Sequence, residues 1–160
     1  MAVKAVPDGY HTVTPYLIVD GAAEALEFYK NAFGATEKLR LDMPDGSKIG
    51  HAEIVIGDST VMIADEFPEL DALGPKSRGG TTVSLCVYFD NVDESFARAV
   101  ETGATVVRPI QNQFYGDRSG TLLDPYGHMW TIATNVEDVP PEELERRMAE
   151  AMQQGDPEGE

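Results

Sequence analysis

Residues 14–36 read TPYLIVDGAAEALEFYKNAFGAT, and this stretch decides the beginning of the fold. The apolar, β-branched run that begins just before it, at Thr12, predicts a strand that ends at Val19. After that strand, apolar residues recur at three- and four-residue spacing up to Phe33, which is the pattern of an amphipathic helix. Gly34 follows directly, and glycine is the residue that most often ends a helix. We therefore predict a strand followed by a helix.

Three further strands are predicted after this helix. Runs of apolar and β-branched residues cover residues 36–43, 48–56 and 60–65. Turn-forming sequences separate these runs, namely Pro44-Asp45-Gly46 and Gly57-Asp58. The first part of the chain therefore has the order βαβββ.

The same order of elements recurs in the second half. A strand at residues 82–89 precedes a helix that ends at Gly103, and strands follow near residues 105–108, 120–123 and 129–134. The triplet GAT occurs at residues 34–36 and again at 103–105, a separation of 69 positions (103 − 34). A single unit of this kind does not bury its own sheet face, so we expect the two copies to pack together.

We predict one α+β domain over residues 1–135. Its modules are about residues 11–66 and 81–135, and the linker at 67–80 is rich in glycine and contains two prolines. An acidic C-terminal helix and tail follow at residues 136–160, with nine acidic residues against two arginines.

The composition argues against several classes of partner. Apolar residues make up 42% of the chain and charged residues 25%, which is typical of a globular protein. Only 12 basic residues face 28 acidic ones, so the net charge is −16. Nucleic acids and anionic membranes attract clustered cations, and we therefore expect neither as a partner.

A cytoplasmic location is expected from the cysteine content and the hydropathy. Cys86 is the single cysteine, so no internal disulfide forms. It lies in an apolar run, which predicts a buried, inert thiol. No segment approaches the roughly 18 apolar residues of a membrane span, and the N-terminal residues lack the apolar region of a signal peptide.

Four segments are the most distinctive motifs: TPYL at 14–17, ALEFYKNAFGA at 25–35, HAEI at 51–54, and the stretch 116–130, which contains GDR and DPYGHMW. Across residues 11–148 the sequence resembles the vicinal oxygen chelate superfamily of glyoxalase I, extradiol dioxygenases, fosfomycin-modifying enzymes and bleomycin-sequestering proteins, and within it the PhnB-like subgroup. The resemblance implies an incompletely closed, barrel-like mixed sheet with the helices outside, a small-molecule pocket, and a homodimer.

Metal-dependent members of this superfamily place a His, Glu or Gln on the first and last strand of each module, around one divalent ion. Carried onto this sequence by its motifs, those positions fall on Thr14, Met62, Ser84 and Thr131. Hydroxyls and thioethers are poor ligands for divalent metals, which prefer carboxylate, imidazole or thiolate donors. We therefore expect no metal and no other cofactor at these positions.

A displaced metal site is the alternative. His51 and Glu53 are two residues apart on a predicted strand and so share one face of it, with Asp65 or Glu66 as further candidate ligands. The other interpretation makes His51 a partly buried side chain hydrogen-bonded to a neighbour.

The segment from Gln111 to Gly120 is predicted as a functional loop, because it combines amides, aromatic rings, glycines and Arg118. Arg118 either grips an anionic ligand in a bidentate pair or pairs with a nearby acid. Aromatic residues either line a cavity for a planar ligand or pack in the core. The candidate ligand-binding residues are Thr14, Tyr16, His51, Ser84, Tyr88, Tyr115, Arg118, His128 and Trp130.

Three functions are consistent with these patterns, because the fold alone does not choose between them. The leading hypothesis is non-covalent binding of a small organic molecule in the sheet cavity, without a metal, and it leaves open whether a reaction is catalysed. The second is a metal-dependent lyase, isomerase or dioxygenase at His51 and Glu53. The third is binding of a partner through the acidic C-terminal helix.

Overall fold

The first module forms a mixed four-stranded sheet, named sheet 1, in the computed structural model, which describes residues 2–155. Its elements are β1 Tyr16–Val19, α1 Ala22–Phe33, β2 Thr36–Asp42, β3 Ile49–Ile56 and β4 Ser59–Asp65. The strand order is β1-β4-β3-β2, in which β1 runs parallel to β4 and the other pairs are antiparallel.

The second module repeats this arrangement as sheet 2. Its elements are β5 Ser84–Tyr88, α3 Val92–Thr102, β6 Thr105–Asn112, β7 Asp117–Leu123 and β8 Met129–Asn135, in the order β5-β8-β7-β6. Between the modules lie a 3-10 helix, Pro68–Leu70, and a short helix, α2 Pro75–Arg78. The predicted α+β fold with two βαβββ modules is confirmed, and the two sheets form no closed barrel.

Two strand predictions differ from the structure. The first strand begins at Tyr16 rather than at Thr12, and Pro15 contributes only its carbonyl oxygen to the sheet, which accepts from the Met62 N–H. The predicted functional loop at residues 111–120 belongs mostly to the hairpin of β6 and β7, because the Gln113 N–H bonds the Asp117 carbonyl at 2.7 Å. Only residues 113–116 form its turn.

Helix α1 lies in the centre of the core. Gly34 ends it in the left-handed region, at φ 68°, as predicted. Tyr29 and Phe33 project from α1 onto Trp130 of sheet 2, with ring centroids 5.4 and 4.7 Å from the indole. Helices α1 and α3 contact each other, and one continuous core cluster includes both helices and residues of both sheets. Helices α1 and α3 therefore pack against one side of each sheet.

The carboxylate of Asp124 joins the two modules. It is 3% exposed and accepts hydrogen bonds from the Tyr29 hydroxyl at 2.5 Å and from Trp130 Nε1 at 2.9 Å. The backbone N–H groups of Tyr126 and His128 donate to its other oxygen, each at 2.9 Å. The Asp-Pro-Tyr-Gly turn thus supplies a buried anion whose partners come from α1, β8 and the turn itself.

The side of each sheet that faces away from α1 and α3 is called its outer face. Side chains alternate between the two faces along a strand. The strand register therefore aligns four side chains, one from each strand, in a row across each outer face. The sheet 1 row is Leu39, Glu53, Met62 and Tyr16. The sheet 2 row is Arg108, Thr121, Thr131 and Cys86.

One further helix, α4 Pro141–Gln153, follows sheet 2. An acidic helix and tail were expected at residues 136–160, and 156–160 of these lie outside the described residues. None of the helices within residues 2–155 is long and apolar enough to cross a membrane.

Candidate functional site

A cavity of about 670 Å³ lies over the outer face of sheet 2. Strands β6, β7 and β8 form its floor, the β6–β7 turn forms one wall, and α4 forms the opposite wall. The lining side chains are mostly polar, with two aromatic rings, and the cavity is lined by Arg108, Gln111, Asn112, Gln113, Phe114, Tyr115, Ser119, Gly120, Thr121, Thr131, Arg146, Arg147, Glu150, Ala151 and Gln154.

Hydroxyl groups form the floor of this cavity. Thr121 and Thr131 stand opposite each other on β7 and β8, and their Oγ1 atoms are 3.5 Å apart. Ser119 lies two residues before Thr121 and therefore shares its face. Gly120, between them, faces α3, where an added Cβ would meet the Phe96 ring at 2.6 Å. Glycine at this position lets α3 pack closely against β7 beneath the hydroxyls.

Arg108 supplies a cation at the edge of this floor. It is the first member of the sheet 2 row and stands opposite Thr121. Within residues 2–155 its guanidinium makes no ion pair. An anionic group of a ligand in the cavity would therefore meet an available charge.

Ion pairs, rather than buried apolar side chains, hold α4 over the cavity. Arg147 donates to the Phe114 carbonyl at 3.0 Å and to both carboxylate oxygens of Glu137, at 2.7 and 3.0 Å. Met148 and Met152 remain 51% and 64% exposed. Hydrogen bonds from Arg146 and Arg147 lower the pKa of Glu143 to about 2, so these pairs persist across the whole physiological range.

Some predicted site residues lie on this same outer face. Tyr115 lines the cavity, with its ring edge-on to Phe114. Tyr88 lies on edge strand β5, where its hydroxyl donates to Asp117 at 2.8 Å, and this hydrogen bond raises its pKa to about 12. Ser84 begins β5 and is exposed. These three residues surround sheet 2 but do not converge on one point.

The expectation for Cys86 was wrong, because its thiol is exposed. It points to the outer face of an edge strand, in a second cleft of about 810 Å³ between β5 and the β3–β4 turn. Burial of part of the side chain raises the pKa of the thiol, and the nearby Asp117 carboxylate adds to that shift. The apolar run around Cys86 predicted a buried thiol. Side chains alternate between the two faces of β5, however, and this alternation places Cys86 on the exposed face.

Three other candidates are held in structural contacts. Trp130 is 1% exposed and packs in the core, since its alternation on β8 directs it towards the helices. Arg118 points to the α3 side of β7 and pairs with Asp93, with two nitrogen–oxygen distances of 2.9 Å. His128 Nε2 lies 2.9 Å from the Ile18 carbonyl, so it carries the proton and links the modules.

Tyr16 and His51 meet on the outer face of sheet 1. The Tyr16 hydroxyl lies 2.7 Å from His51 Nδ1, and His51 Nε2 lies 2.8 Å from Glu53 Oε2. Tyr10, which sequence reasoning missed because it precedes every predicted element, donates to the other Glu53 oxygen. Thr14 lies outside the strand and donates to the His11 carbonyl at 3.2 Å.

These residues do not fit a divalent metal. Each Glu53 oxygen already accepts a hydrogen bond, and Asp65 accepts from the backbone N–H groups at the start of α1 and of β3. Glu66 accepts from Ser77. Over the part of the chain that the structure describes, no three His, Cys, Asp or Glu side chains lie close enough together to hold a metal. Each row across the sheets offers one metal-ligating group, the Glu53 carboxylate in sheet 1 and the Cys86 thiol in sheet 2, and the other members are hydroxyls, a thioether, a guanidinium and an aliphatic side chain.

The fold is that of a known superfamily. Over residues 10–132 the sequence matches the Glyoxalase/Bleomycin resistance protein/Dioxygenase superfamily, and the chain belongs to it. An uncharacterized protein from Mycobacterium bovis is 39% identical over 152 residues, which cover 93% of this chain and 97% of that protein.

Solved structures agree with this assignment. TioX from Micromonospora sp. ML1 is 26% identical, with a TM-score of 0.62 over 79% of this chain and 99% of its own. The PhnB protein from Bacillus cereus is 19% identical, with a TM-score of 0.59 over 78% of this chain and 99% of its own, so it shares the fold alone.

Proposed function

We propose that this chain binds a small organic molecule in the cavity between sheet 2 and α4, without a metal ion. The cavity volume lies within the range of sites for drug-sized ligands. The observation that supports the proposal most is that one cavity is lined by a hydroxyl floor, by the Arg108 guanidinium, which has no ion pair within residues 2–155, and by two aromatic rings. Such a site orients a ligand by a few polar contacts while its rings cover the ligand body.

The expected ligand is an aromatic carboxylate. The guanidinium of Arg108 matches a carboxylate in a bidentate pair. Phe114 and Tyr115 offer ring faces or edges to a planar ligand body. The floor hydroxyls of Thr121 and Thr131 both donate and accept, so they suit a phenol or carbonyl oxygen on the same ligand.

A screen of aromatic carboxylates by thermal shift and ligand-observed NMR tests this proposal. Hits should lose about tenfold or more in affinity with Arg108→Gln, since hydrogen bonds to charged groups contribute about 1.5–3 kcal/mol. Arg98→Gln on the exposed side of α3 is the matched control. Equal affinity for the Arg108→Gln variant, or no hit at all, would refute an aromatic carboxylate site in this cavity.

A Thr121→Val substitution separates the hydroxyl floor from the shape of the cavity, because valine keeps the volume and removes the donor. Thr105→Val, at the other end of β6, is its control. The same hits should weaken with the first variant and not with the second. An effect of equal size for both would place the ligand elsewhere.

We infer that the second copy in a homodimer packs against β2. Leu39, Leu41 and Met43 are exposed apolar side chains along this edge strand and the turn after it. Lys38 and Arg40, which alternate with the leucines, are paired with Glu53 and Glu37 of the same chain, so the exposed apolar side chains are the basis of the inference. Light scattering should give a dimer that Leu41→Glu dissociates and that Val3→Glu, at an exposed residue outside β2, leaves intact. A monomeric native chain would overturn the inference.

The proposed location is the cytoplasm. The exposed thiol of Cys86 has no cysteine partner, as is usual in reducing compartments. Fractionation of the natural host with an antibody against the full chain tests the location, and recovery outside the cytoplasm would contradict it.

A further inference from the structure

Helix α4 lies over the sheet 2 cavity without being packed into the core. It has no buried residue, and it makes no extensive contact with any other helix or strand within residues 2–155. The apolar side chains of Met148 and Met152 stay exposed. The hydrophobic effect, which fixes α1 and α3 in the core, therefore contributes little to the position of α4.

The segment that precedes α4 is held against the β6–β7 turn. The backbone N–H groups of Val136 and Glu137 both donate to the Gly116 carbonyl, at 2.9 and 3.0 Å. Gly116 has a φ of 101°, and a Cβ at this position would clash with the Glu137 carbonyl oxygen and crowd the Val139 side chain. The glycine thus permits a close approach that fixes the chain as far as Val139.

Two prolines connect this fixed segment to α4. Pro140 precedes the helix and Pro141 begins it, and neither has a backbone N–H that could bond to sheet 2. The Pro140 carbonyl accepts from the Leu144 N–H, which lies inside the helix. Rotation about the ψ angles of Val139 and Pro140 would therefore swing α4 as one body without breaking a hydrogen bond of the sheet.

Arg147 ties α4 to the rest of the chain. Within residues 2–155, the side-chain hydrogen bonds that leave the helix all come from this guanidinium, which donates to the Phe114 carbonyl at 3.0 Å and to the two Glu137 oxygens at 2.7 and 3.0 Å. The Arg147 side chain is 26% exposed and that of Glu137 is 51% exposed. Ion pairs this open to solvent are weak and are screened by salt.

We propose that α4 is a hinged lid over the sheet 2 cavity and that Arg147 is its latch. The lid opens by rotation between Val139 and Pro141, and opening separates Arg147 from the Phe114 carbonyl and from Glu137. Because these contacts are few and partly exposed, salt raises the open fraction. If the proposed binding function of this cavity is correct, on which this step rests, the lid controls how fast a ligand enters and leaves.

A distance between two spin labels measures the position of the lid. Cys86 is the single cysteine of the chain and its thiol is exposed, so nitroxides on Cys86 and on Gln153→Cys report one distance by double electron–electron resonance. In about 0.1 M NaCl we expect one main distance. Longer distances should appear in about 1 M NaCl, where the Debye length falls to about 3 Å, and also in Arg147→Gln at the lower salt concentration.

Arg146→Gln is the matched control for this measurement. Arg146 bonds to Glu143 and Glu150, which belong to α4 itself, so this substitution should leave the distance unchanged. Circular dichroism should show equal helix content in all variants. Distances that stay the same in Arg147→Gln or at high salt, an equal shift in Arg146→Gln, or loss of helix in Arg147→Gln would each overturn the lid.

Stopped-flow fluorescence with 2-naphthoate, an aromatic carboxylate, separates the lid from the proposed function. The dissociation rate constant should rise about tenfold in Arg147→Gln, since changes at a binding site act mostly on dissociation, and it should not change in Arg98→Gln. Dissociation at the native rate from Arg147→Gln would overturn control of the cavity by the lid. A salt-dependent label distance without any naphthoate binding would support the lid and refute the proposed ligand class.

Discussion

The outer faces of the two sheets occupy equivalent positions of the repeat and differ in chemistry. Leu39 corresponds to Arg108 and Met62 to Thr131, each 69 positions later (108 − 39 and 131 − 62). In sheet 1 the row surrounds a buried carboxylate with apolar side chains, whereas in sheet 2 it presents hydroxyls and a guanidinium. One duplicated scaffold thus holds an anion on one face and a floor of neutral hydroxyls on the other.

This difference follows from the hydrogen-bond partners that the central residue of each row requires. Glu53 is buried, so it needs Tyr10, His51 and Lys38 as partners, and these contacts occupy both of its oxygens. Its counterpart in the sheet 2 row, Thr121, is neutral and needs only one hydrogen bond. The sheet 2 face therefore keeps polar groups that are available to a ligand.

The largest expected effect comes from the group that joins the two modules. Asp124→Ala removes the common acceptor of Tyr29, Trp130 and two backbone N–H groups. Leaving these buried donors unpaired should lower the free energy of unfolding by about 3–5 kcal/mol, as for other broken buried charge networks. Urea denaturation measures this loss of stability, and Asp58→Ala, at an exposed residue, is the control. A loss below about 1 kcal/mol would show that Asp124 does not connect the modules.

Substitutions at two glycines allow the packing beneath the two outer faces to be compared. An added Cβ at Gly120 meets the Phe96 ring at 2.6 Å and the Arg108 carbonyl at 3.1 Å, whereas at Gly50 it meets the flexible end of Met43 at 3.2 Å. Gly120→Ala should therefore cost about 1–3 kcal/mol through overpacking, and Gly50→Ala much less. Thermal unfolding of both variants checks the order. Equal costs would mean that sheet 2 is not packed more tightly against its helix.

Acid should remove the stabilising role of Glu53. Its pKa is lower in the folded chain than its ordinary value, so its contribution is complete above about pH 5 and is lost as pH falls through the folded-state pKa. Glu53→Gln should cost about 1–2 kcal/mol at pH 7 and progressively less towards pH 3. Denaturation curves at several pH values measure the difference, with exposed Glu101→Gln as control. A gap that widens in acid would reverse the assigned sign.

The smallest stability effect is expected from removal of α4. Truncation after Val139 removes a helix with no buried residue, whose ion pairs are exposed, so the free energy of unfolding should change by less than about 1 kcal/mol. Binding in the sheet 2 cavity should nevertheless weaken, because one wall is gone. Calorimetry of the truncated and full chains measures both quantities. A large loss of stability would assign α4 to the core instead.

The sequence predicted what depends on local pattern. The apolar spacing and Gly34 defined α1, and the matching pattern defined α3, because both signals lie within one element. Trp130, Arg118 and Cys86 were harder to assign, since the face that a strand residue occupies depends on register and on which strand lies at an edge. The position of Arg108 in the cavity and the wall formed by α4 depend on contacts between distant segments. A local sequence pattern does not predict such contacts.

Elemental analysis of the untagged chain, purified without chelator, tests the central claim that these outer faces work without a metal. We expect far less than one transition metal ion per chain and no thermal stabilisation by added Mg²⁺, Mn²⁺ or Zn²⁺. A stoichiometric metal that a chelator removes, and that His51→Gln abolishes, would contradict the account and make the displaced metal site at His51 and Glu53 the correct interpretation.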